Sequence, residues 1–376
     1  MTSATFDAAT LTAAAAWVAR VCPAKPTTPI LGGMLVDVDD TEVRLTAYDY
    51  DTAATHTIPI IVGDPGRILV SGRLLSAVAA AVAKAAGKTP DVTIRDTGTT
   101  VTVTTGRSEW ALPALPVEDY PQLPGITAPR CEVSADELRH ALARVMPAVD
   151  RKGQLPALGT VEVSSTGDTL TLAATDRFRL AATTIPWKPH DQDDLASVLV
   201  PFELLEAATK ALTGSGTVRI GTDGASFTVA TDAHTLTGRT VDAAFPQWRR
   251  LMPTPQTQRV AVVAAADLRR AADQAAVMLE GVQSLRLDFT PDTVTVSVAG
   301  EGRSATSRAD VAHYAGDPVT VAVNAGYLRD ALTAATTELV EIQFGENPSR
   351  PLLLLPVVHG DAPADEYRHL LMPVKL

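Results

Sequence analysis

The sequence lacks most of the features that identify a secreted, metal-binding or membrane protein. It has two cysteines, Cys22 and Cys131, whose separation fits neither a zinc-binding pair nor a disulfide framework. It contains no run of about 18 uncharged apolar residues, so no membrane-spanning helix is predicted. The N-terminal segment lacks the basic residues of a signal peptide, because Asp7 precedes the first arginine, Arg20. We therefore expect a cytoplasmic protein.

Motifs of catalytic and cofactor-binding sites are also absent. There is no phosphate-binding Gly-x-x-x-x-Gly-Lys-Ser/Thr loop, no dinucleotide-binding Gly-x-Gly-x-x-Gly and no zinc-protease His-Glu-x-x-His. The Gly-x-Ser-x-Gly turn that carries the nucleophile of many hydrolases is missing too. The sequence therefore predicts no enzyme active site, no metal site and no cofactor.

The composition that remains is that of an ordinary globular protein. Apolar residues make up 46% and charged residues 20% of the chain, and 376 residues suffice for two or three domains. The 43 acidic and 32 basic residues give a net charge of −11. This acidic balance argues against a protein whose whole surface binds nucleic acid.

A threefold internal repeat is the clearest pattern in the sequence. Val70, Val200 and Val321 occupy equivalent places in a β-rich run that leads into an apolar helix, at offsets of 130 and 121 residues. Before each copy lies a strand in which apolar and polar residues alternate. These three strands are Glu42–Ala47, Asp168–Ala173 and Asp292–Ser297.

Each third of the chain also begins with a predicted helix. The clearest starts at a capping box of Ser134 and Glu137 and continues with one apolar stripe to Val149. We predict an α+β fold of three repeated domains, each with two helices and about eight strands. The predicted domains are residues 1–126, 127–255 and 256–376, with proline-rich junctions. The predicted helices are 12–21, 73–86, 134–149, 202–212, 266–279 and 325–335. An array of unrelated α+β modules is the alternative.

Four motifs, in order along the chain, extend this interpretation. They are Lys25–Gly32 (KPTTPILG), Thr175–Leu180 (TDRFRL), Phe245–Leu251 (FPQWRRL) and Leu370–Leu376 (LLMPVKL). With the repeat and the length, they make the whole chain resemble the bacterial DNA polymerase III beta subunit family, the beta sliding clamps.

The resemblance implies a fold and a function. The fold would be the DNA-clamp fold, in which two chains close head to tail into a ring-shaped homodimer with helices around the hole. The function would be that of a processivity factor in DNA replication. Such a protein is not catalytic: it encircles double-stranded DNA without regard to sequence and tethers the replicative polymerase. Implied partners are the polymerase III alpha subunit, the clamp loader and other clamp-motif proteins.

The resemblance also implies residues that contact DNA. The matching positions are Lys25, Arg73 and Lys152. Pro156 and Ala157 stand where a family member carries a tyrosine pair, so we expect contact with phosphates rather than stacking. The six predicted helices carry slightly more basic than acidic residues, which suits a lumen that does not repel DNA.

A pocket for partner peptides is implied between the second and third domains and the C-terminal tail. Arg177 and Phe178 replace a Gly-His pair seen in some family members, so the peptides or cyclic-peptide inhibitors that fit could differ. The matching positions are Leu158, Thr175, Arg177, Phe178, Arg179, Leu180, Pro246, Arg250, Leu251, Asn324, Tyr327, Pro348, Arg350, Leu370, Leu371, Met372, Pro373, Val374, Lys375 and Leu376.

The family's dimer interface pairs a strand of the first domain with a helix end of the third. In this sequence it corresponds to Trp110 and Leu112 facing Val277 and Met278. A tryptophan on such a strand could equally belong to the core of its own domain.

Two other functions remain open at this point. The chain could be an additional clamp copy with altered inhibitor or partner binding, which a count of clamp genes in the source genome would reveal. Outside the family, it could be a non-catalytic tandem β protein that binds carbohydrate or another surface. That protein class predicts a secretion signal and exposed aromatic platforms, and the sequence has neither.

Overall fold

The computed structural model describes residues 1–26, 28–85, 91–190, 195–212, 216–253, 259–279, 284–300, 303–345, 347, 349–358 and 366–375. Six α-helices lie in this part of the chain: α1 (Ala8–Val18), α2 (Gly72–Ala85), α3 (Ala135–Val145), α4 (Phe202–Ala211), α5 (Ala265–Ala276) and α6 (Ala325–Ala334). None of the described helices is long and apolar enough to cross a membrane.

The strands fall into three consecutive groups. The first third contains β1 (Ser3–Asp7), β2 (Gly33–Val38), β3 (Glu42–Tyr48), β4 (Thr52–Pro59), β5 (Val62–Asp64), β6 (Gly66–Ser71), β7 (Asp91–Asp96), β8 (Thr100–Thr105) and β9 (Ser108–Leu115). The middle third contains β10 (Pro129–Ser134), β11 (Thr160–Thr166), β12 (Thr169–Thr175), β13 (Arg179–Pro186), β14 (Lys188–Pro189), β15 (Val198–Pro201), β16 (Thr217–Thr222), β17 (Ser226–Ala230) and β18 (His234–Arg239). The last third contains β19 (Val260–Ala264), β20 (Ser284–Phe289), β21 (Thr293–Gly300), β22 (Arg303–Ala315), β23 (Val319–Asn324), β24 (Leu339–Gln343), β25 (Leu352–Pro356) and β26 (Arg368–Leu371). The predicted α+β class, with two helices and eight or nine strands per third, is confirmed for the described residues.

Predicted and observed bounds differ by three residues or more at both ends of α1 and at the C-terminal ends of α3 and α5, and two of these differences have local reasons. Helix α1 begins at Ala8, because the Asp7 carboxylate caps it by accepting a hydrogen bond of 2.9 Å from the backbone N–H of Thr10. Helix α3 ends at Val145, and a short 3-10 helix, Met146–Ala148, follows it. Pro147 lacks the backbone N–H that a further α-helical turn requires.

The described chain groups into two compact units. Unit 1 comprises Met1–Asp136, Lys188–Asp191 and Glu203–Thr240, and unit 2 comprises Glu137–Trp187, Gln192–Phe202 and Val241–Leu376. Strands of the middle third are therefore divided between the two units. The boundaries at residues 126 and 255 remain a prediction about the sequence repeat.

Unit 1 is built on one antiparallel sheet of 14 strands. Their order is β14-β10-β16-β17-β18-β4-β3-β2-β6-β9-β8-β7-β1-β5. The pairing of β18 with β4 joins strands of the middle and first thirds and sets His234 directly opposite His56. The two imidazole centres are 4.1 Å apart, and the Trp17 ring packs 4.6 Å from that of His234.

Unit 2 is built on one antiparallel sheet of 12 strands. Their order is β15-β11-β12-β13-β26-β25-β24-β19-β22-β21-β20-β23. Here β13 of the middle third pairs with β26 near the end of the chain, with Leu180 opposite Leu370 and Ala181 opposite His369. A long-range strand pair thus holds the C-terminal segment in this unit.

His369 is a buried titratable group at that pair. Its side chain is 0% exposed, its Nδ1 lies 2.6 Å from the Tyr367 hydroxyl, and its Nε2 has no hydrogen-bond partner among the described residues. Burial, aided by the positive charge of Arg179, lowers the pKa of His369 from 6.5 to about 3. The folded protein therefore keeps this imidazole neutral.

We predict that acid weakens the fold through His369. Between pH 6.5 and about pH 3 the unfolded chain binds a proton that the folded chain rejects, so the free energy of unfolding falls as pH falls. Urea midpoints followed by tryptophan fluorescence from pH 7.5 to 4.5 should show a shallower decline in His369→Gln than in the parent. His56, whose pKa is lowered to about 4 by burial and by His234, should leave a residual slope in the variant. Identical slopes in parent and variant would contradict the assignment.

Candidate functional site

A groove of about 750 Å³ opens on unit 2 where four chain segments converge. These are the β12–β13 turn, the segment after β18, the loop between β24 and β25, and the end of β26. The residues that line it are Thr175, Arg177, Arg179, Leu180, Pro246, Arg250, Leu251, Pro253, Gly345, Ser349, Arg350, Pro351, Leu370 and Met372. A concave, largely apolar site with a few polar groups is the usual form of a binding pocket.

The floor of the groove belongs to the core of the sheet. Leu180 and Leu370, which face each other on β13 and β26, are 3% and 6% exposed. They pack in a buried cluster with Ala173, Ala182, Trp248 and Leu353. The floor is consequently rigid, because each of its residues is held by strand pairing as well as by packing.

The segment after β18 forms one wall and is held by Trp248. The Trp248 indole N–H donates a hydrogen bond to the carboxylate of Glu162, which also accepts a bond of 2.7 Å from the Ser197 hydroxyl. Arg249 stacks on the indole at 4.4 Å and lies 3.7 Å from the same carboxylate. Glu162 is 8% exposed, and these partners satisfy the buried charge. The 3-10 helix Trp248–Arg250 then presents Arg250 and Leu251 to the groove.

The β12–β13 turn forms a second wall and contains Arg177 in a left-handed conformation, with φ of 77°. Such a conformation costs an arginine about 1–2 kcal/mol relative to glycine. Side-chain hydrogen bonds hold the turn: Asp176 accepts from the N–H groups of Phe178 and Arg179, both at 2.9 Å, and Thr175 accepts from that of Arg177 at 3.2 Å. Arg177 lines the groove from this turn, and its guanidinium lies 6.0 Å from the centre of the Phe178 ring.

Arg179 lines the groove, but its guanidinium is already paired. It makes ion pairs of 3.0 Å with Asp176 and 2.5 Å with Asp330, donates to the carbonyl of Pro147, and stacks over the Tyr327 ring at 4.3 Å. Its side chain is only 9% exposed. Arg179 thus fixes the turn against its neighbours and adds little free charge to the groove.

The loop between β24 and β25 closes the far side. Gly345 is required there, because a Cβ at this position would lie 2.3 Å from the Cβ of Arg350. The sequence interpretation missed Gly345 together with Pro253, Ser349 and Pro351. Glycine and proline in the stretch 345–351 are typical of a turn, but nothing in the local sequence places this loop, or Pro253, beside Leu180.

Half of the predicted pocket residues line this groove, and eight others lie elsewhere in the described part of unit 2. Asn324 caps α6 by accepting a hydrogen bond of 3.1 Å from Tyr327 N–H. Phe178 is 55% exposed beside the groove, whereas Leu158 and Leu371 are buried. Among the described residues, the predicted members outside the lining are Leu158, Phe178, Asn324, Tyr327, Leu371, Pro373, Val374 and Lys375. Pro348 and Leu376 lie outside the described residues.

The C-terminal tail is held by backbone bonds. Met372 N–H donates to the carbonyl of Phe178 at 2.8 Å, and Val374 N–H donates to that of Ala322 at 2.7 Å. The 39% exposed Met372 therefore sits at the rim as an apolar side chain open to a ligand.

The predicted DNA-contacting residues are exposed. Lys25 and Arg73 belong to unit 1, where the start of α2 approaches the segment after α1 closely: a Cβ on Gly72 would lie 2.5 Å from the Cys22 sulfur. Lys152 belongs to unit 2. No group of His, Cys, Asp and Glu suited to a metal ion occurs among the described residues.

The predicted interface residues differ in exposure. Val277 and Met278, just past α5, are 79% and 42% exposed, whereas the Leu112 side chain is 1% exposed and belongs to the core of unit 1. Trp110 is half-buried on β9. In the described structure β9 pairs with β8 along its length but with β6 only at Ala114 and Leu115, so most of its other edge is unpaired.

Comparison with known proteins covers nearly the whole chain. The profiles of the DNA polymerase III beta subunit match in order: the N-terminal domain at residues 4–124, the central domain at 132–247 and the C-terminal domain at 249–375. The beta sliding clamp of Streptomyces coelicolor is 33% identical over 97% of both chains. The beta sliding clamp homolog GriR of Streptomyces muensis is 29% identical over 96% of this chain and 95% of its own.

The fold agrees with solved structures. A DNA polymerase III subunit beta from Pseudomonas aeruginosa, crystallised with griselimycin, superposes with a TM-score of 0.91 over 100% of both chains at 24% identity. The three matched profiles and the 33% identical relative establish that this chain belongs to the DNA polymerase III beta subunit family, the beta sliding clamps.

Proposed function

We propose that this protein is a DNA sliding clamp that tethers a replicative polymerase and other partners to duplex DNA. The observation that carries the proposal is a family match along the full chain together with an apolar groove at the place where the resemblance puts the partner site. No catalytic step is required of it, because a clamp acts by keeping its partner close to DNA.

The groove suits a short peptide with apolar anchors. Its floor is buried and rigid, and Leu251 and Met372 leave apolar surface at the rim, 59% and 39% exposed. Each buried anchor contributes roughly 1.5–3 kcal/mol before ordering costs, so a peptide with two or three anchors would bind with about micromolar affinity. Such an affinity allows several partners to exchange on one clamp.

Retention on DNA would be topological, in a closed ring of two chains. A closed ring does not need to bind DNA tightly, which explains how a chain with a net charge of −11 can act as a DNA clamp. Lys25, Arg73 and Lys152, all exposed, would supply weak phosphate contacts independent of DNA sequence.

Two features support a head-to-tail dimer. The β9 edge has unpaired backbone groups, and such an edge readily accepts a strand or segment from another chain. Val277 and Met278 form an exposed apolar pair that a partner chain would cover. The Leu112 side chain is buried and would only support β9 from within its own unit.

Cyclic-peptide inhibitors are a second class of ligand for the groove. The Pseudomonas aeruginosa clamp with the same fold was crystallised with griselimycin. The alternative function is that of an additional clamp copy with altered inhibitor or partner binding, and the chain is also 29% identical to a protein called a beta sliding clamp homolog. Deleting its gene alone would separate the two: loss of viability marks the replicative clamp, and normal growth marks an additional copy.

We predict that Leu251→Asp removes peptide binding without unfolding the protein. The side chain is 59% exposed, so a carboxylate is tolerated there, but it would face the apolar anchors of a bound peptide. Fluorescence anisotropy with a labelled octapeptide carrying Leu and Phe should show an affinity reduced tenfold or more. This loss of binding free energy is about the contribution of one buried apolar anchor. Leu155→Asp, at a 53% exposed site outside the groove lining, is the matched control and should bind normally. Equal affinity in both variants would exclude the groove.

We predict that Val277→Asp yields monomers. Val277 is 79% exposed in the single chain, so the substitution should not disturb folding, but it would bury an unpaired carboxylate in the interface. Light scattering should give twice 39.5 kDa for the parent and 39.5 kDa for the variant. Val62→Asp, 65% exposed on β5, is the control and should remain dimeric. A dimeric Val277→Asp protein would remove this residue from the interface.

We predict that changing Lys25, Arg73 and Lys152 together to Glu weakens DNA contact and lowers its salt dependence. Each lost phosphate contact reduces the slope of log affinity against log salt by about 0.9. Primed-circle binding should be measured from 50 to 200 mM salt. The control replaces the exposed Arg95, Arg239 and Arg308 with Glu, which changes the net charge equally. Similar slopes for both triple variants would refute the assignment, provided that both remain dimeric.

A further inference from the structure

Three guanidinium groups that make no ion pair with a described carboxylate surround the groove; that of Arg177 lies 6.0 Å from the centre of the Phe178 ring. Arg177 projects from the β12–β13 turn, Arg250 from the wall after β18, and Arg350 from the loop before β25. All three residues are exposed, and no described carboxylate lies within ion-pair distance of any of them. None of the described residues that line the groove is acidic.

This local charge is opposite to that of the chain as a whole. The protein carries a net charge of −11, yet the groove concentrates cations. Arg179 does not account for the excess, because Asp176 and Asp330 compensate it. Charges of one sign in a concave site with apolar walls focus the field and attract ligands of the opposite sign.

The strained turn gives the first of these arginines a special position. Arg177 occupies a left-handed conformation that favours glycine, and the bonds from Thr175 and Asp176 hold it there without using its guanidinium. The turn does not need the arginine for its geometry. Its charge is therefore available to a ligand.

We propose that the groove selects peptides in which acidic residues flank the apolar anchors, and that Arg177, Arg250 and Arg350 determine this specificity. The inference rests on the proposed peptide-binding function of the same groove. A guanidinium group can donate two parallel hydrogen bonds to one carboxylate, so arginines recognise acidic side chains in a defined geometry. The phosphates of a nucleic acid would also pair with these arginines, but the apolar floor formed by Leu180 and Leu370 favours a ligand with apolar side chains.

The test compares two amidated octapeptides on the full-length protein. Both carry the same Leu and Phe anchors, and one has three Asp where the other has three Asn. Anisotropy at 50 mM salt should show the Asp peptide binding about tenfold tighter, and the advantage should shrink at 500 mM salt as the charges are screened.

Variants that each remove one arginine charge show which residues cause the preference for the Asp peptide. Arg177→Gly and Arg350→Gln should each weaken binding of the Asp peptide about threefold and leave the Asn peptide within about twofold. Arg177→Gly should also match or exceed the parent in thermal midpoint, because glycine suits the left-handed turn. Arg308→Gln, exposed on β22 outside the groove lining, removes one charge elsewhere and should change neither affinity.

The outcomes separate this inference from the proposed function. Equal affinity for both peptides at low salt would overturn the acidic selectivity while leaving peptide binding intact. Failure of both peptides to bind would overturn the inference and the groove function together. A loss in Arg308→Gln equal to that in Arg177→Gly would show an effect of overall charge and overturn the residue assignment. Displacement of the Asp peptide by an equimolar single-stranded 12-mer DNA would mark nucleic acid as the occupant and also overturn the proposal.

Discussion

Pairing between strands from different thirds of the chain is the interaction on which the rest of this structure depends. The β18–β4 pair completes the sheet of unit 1, and the β13–β26 pair completes that of unit 2. Leu180 and Leu370 are 190 residues apart in sequence, and only this second pair brings them together as the floor of the groove. A backbone hydrogen-bond ladder has a fixed register, so the position of the groove is as well determined as the sheet itself.

The walls of the groove illustrate two uses of buried charge. Glu162 and Arg179 are both nearly inaccessible, and each holds a wall in place through several partners: Trp248, Ser197 and Arg249 for the first, Asp176 and Asp330 for the second. Satisfying these charges internally makes the walls stiff and leaves the exposed arginines as the free charges of the site. Stability and recognition are thus carried by different side chains, and they can be altered separately by substitution.

The local elements could be predicted from the sequence because they depend on short-range patterns. Helices α2, α4 and α6 lie within one or two residues of the predicted bounds, and alternating residues located strands such as β12 and β21. Two of the larger errors have local causes: the Asp7 cap starts α1 earlier, and Pro147 ends α3 sooner. The groove residues were found through short motifs, not through periodicity, so residues outside the motifs were missed. Glu162 is one of these, since an alternating strand gives no sign of which tryptophan its carboxylate will bind.

The sequence alone determined the α+β class, the threefold repeat, the family resemblance and the residue types available for binding. The tertiary structure alone decided how the repeats divide into two compact units, which arginine is neutralised and which are free, and which of the motif residues line one groove. The physical reason is range. Helical and strand periodicity arise from neighbours a few residues apart. Ion pairing and groove formation depend instead on contacts between residues distant in sequence, such as Arg179 and Asp330, which come together only when unit 2 folds.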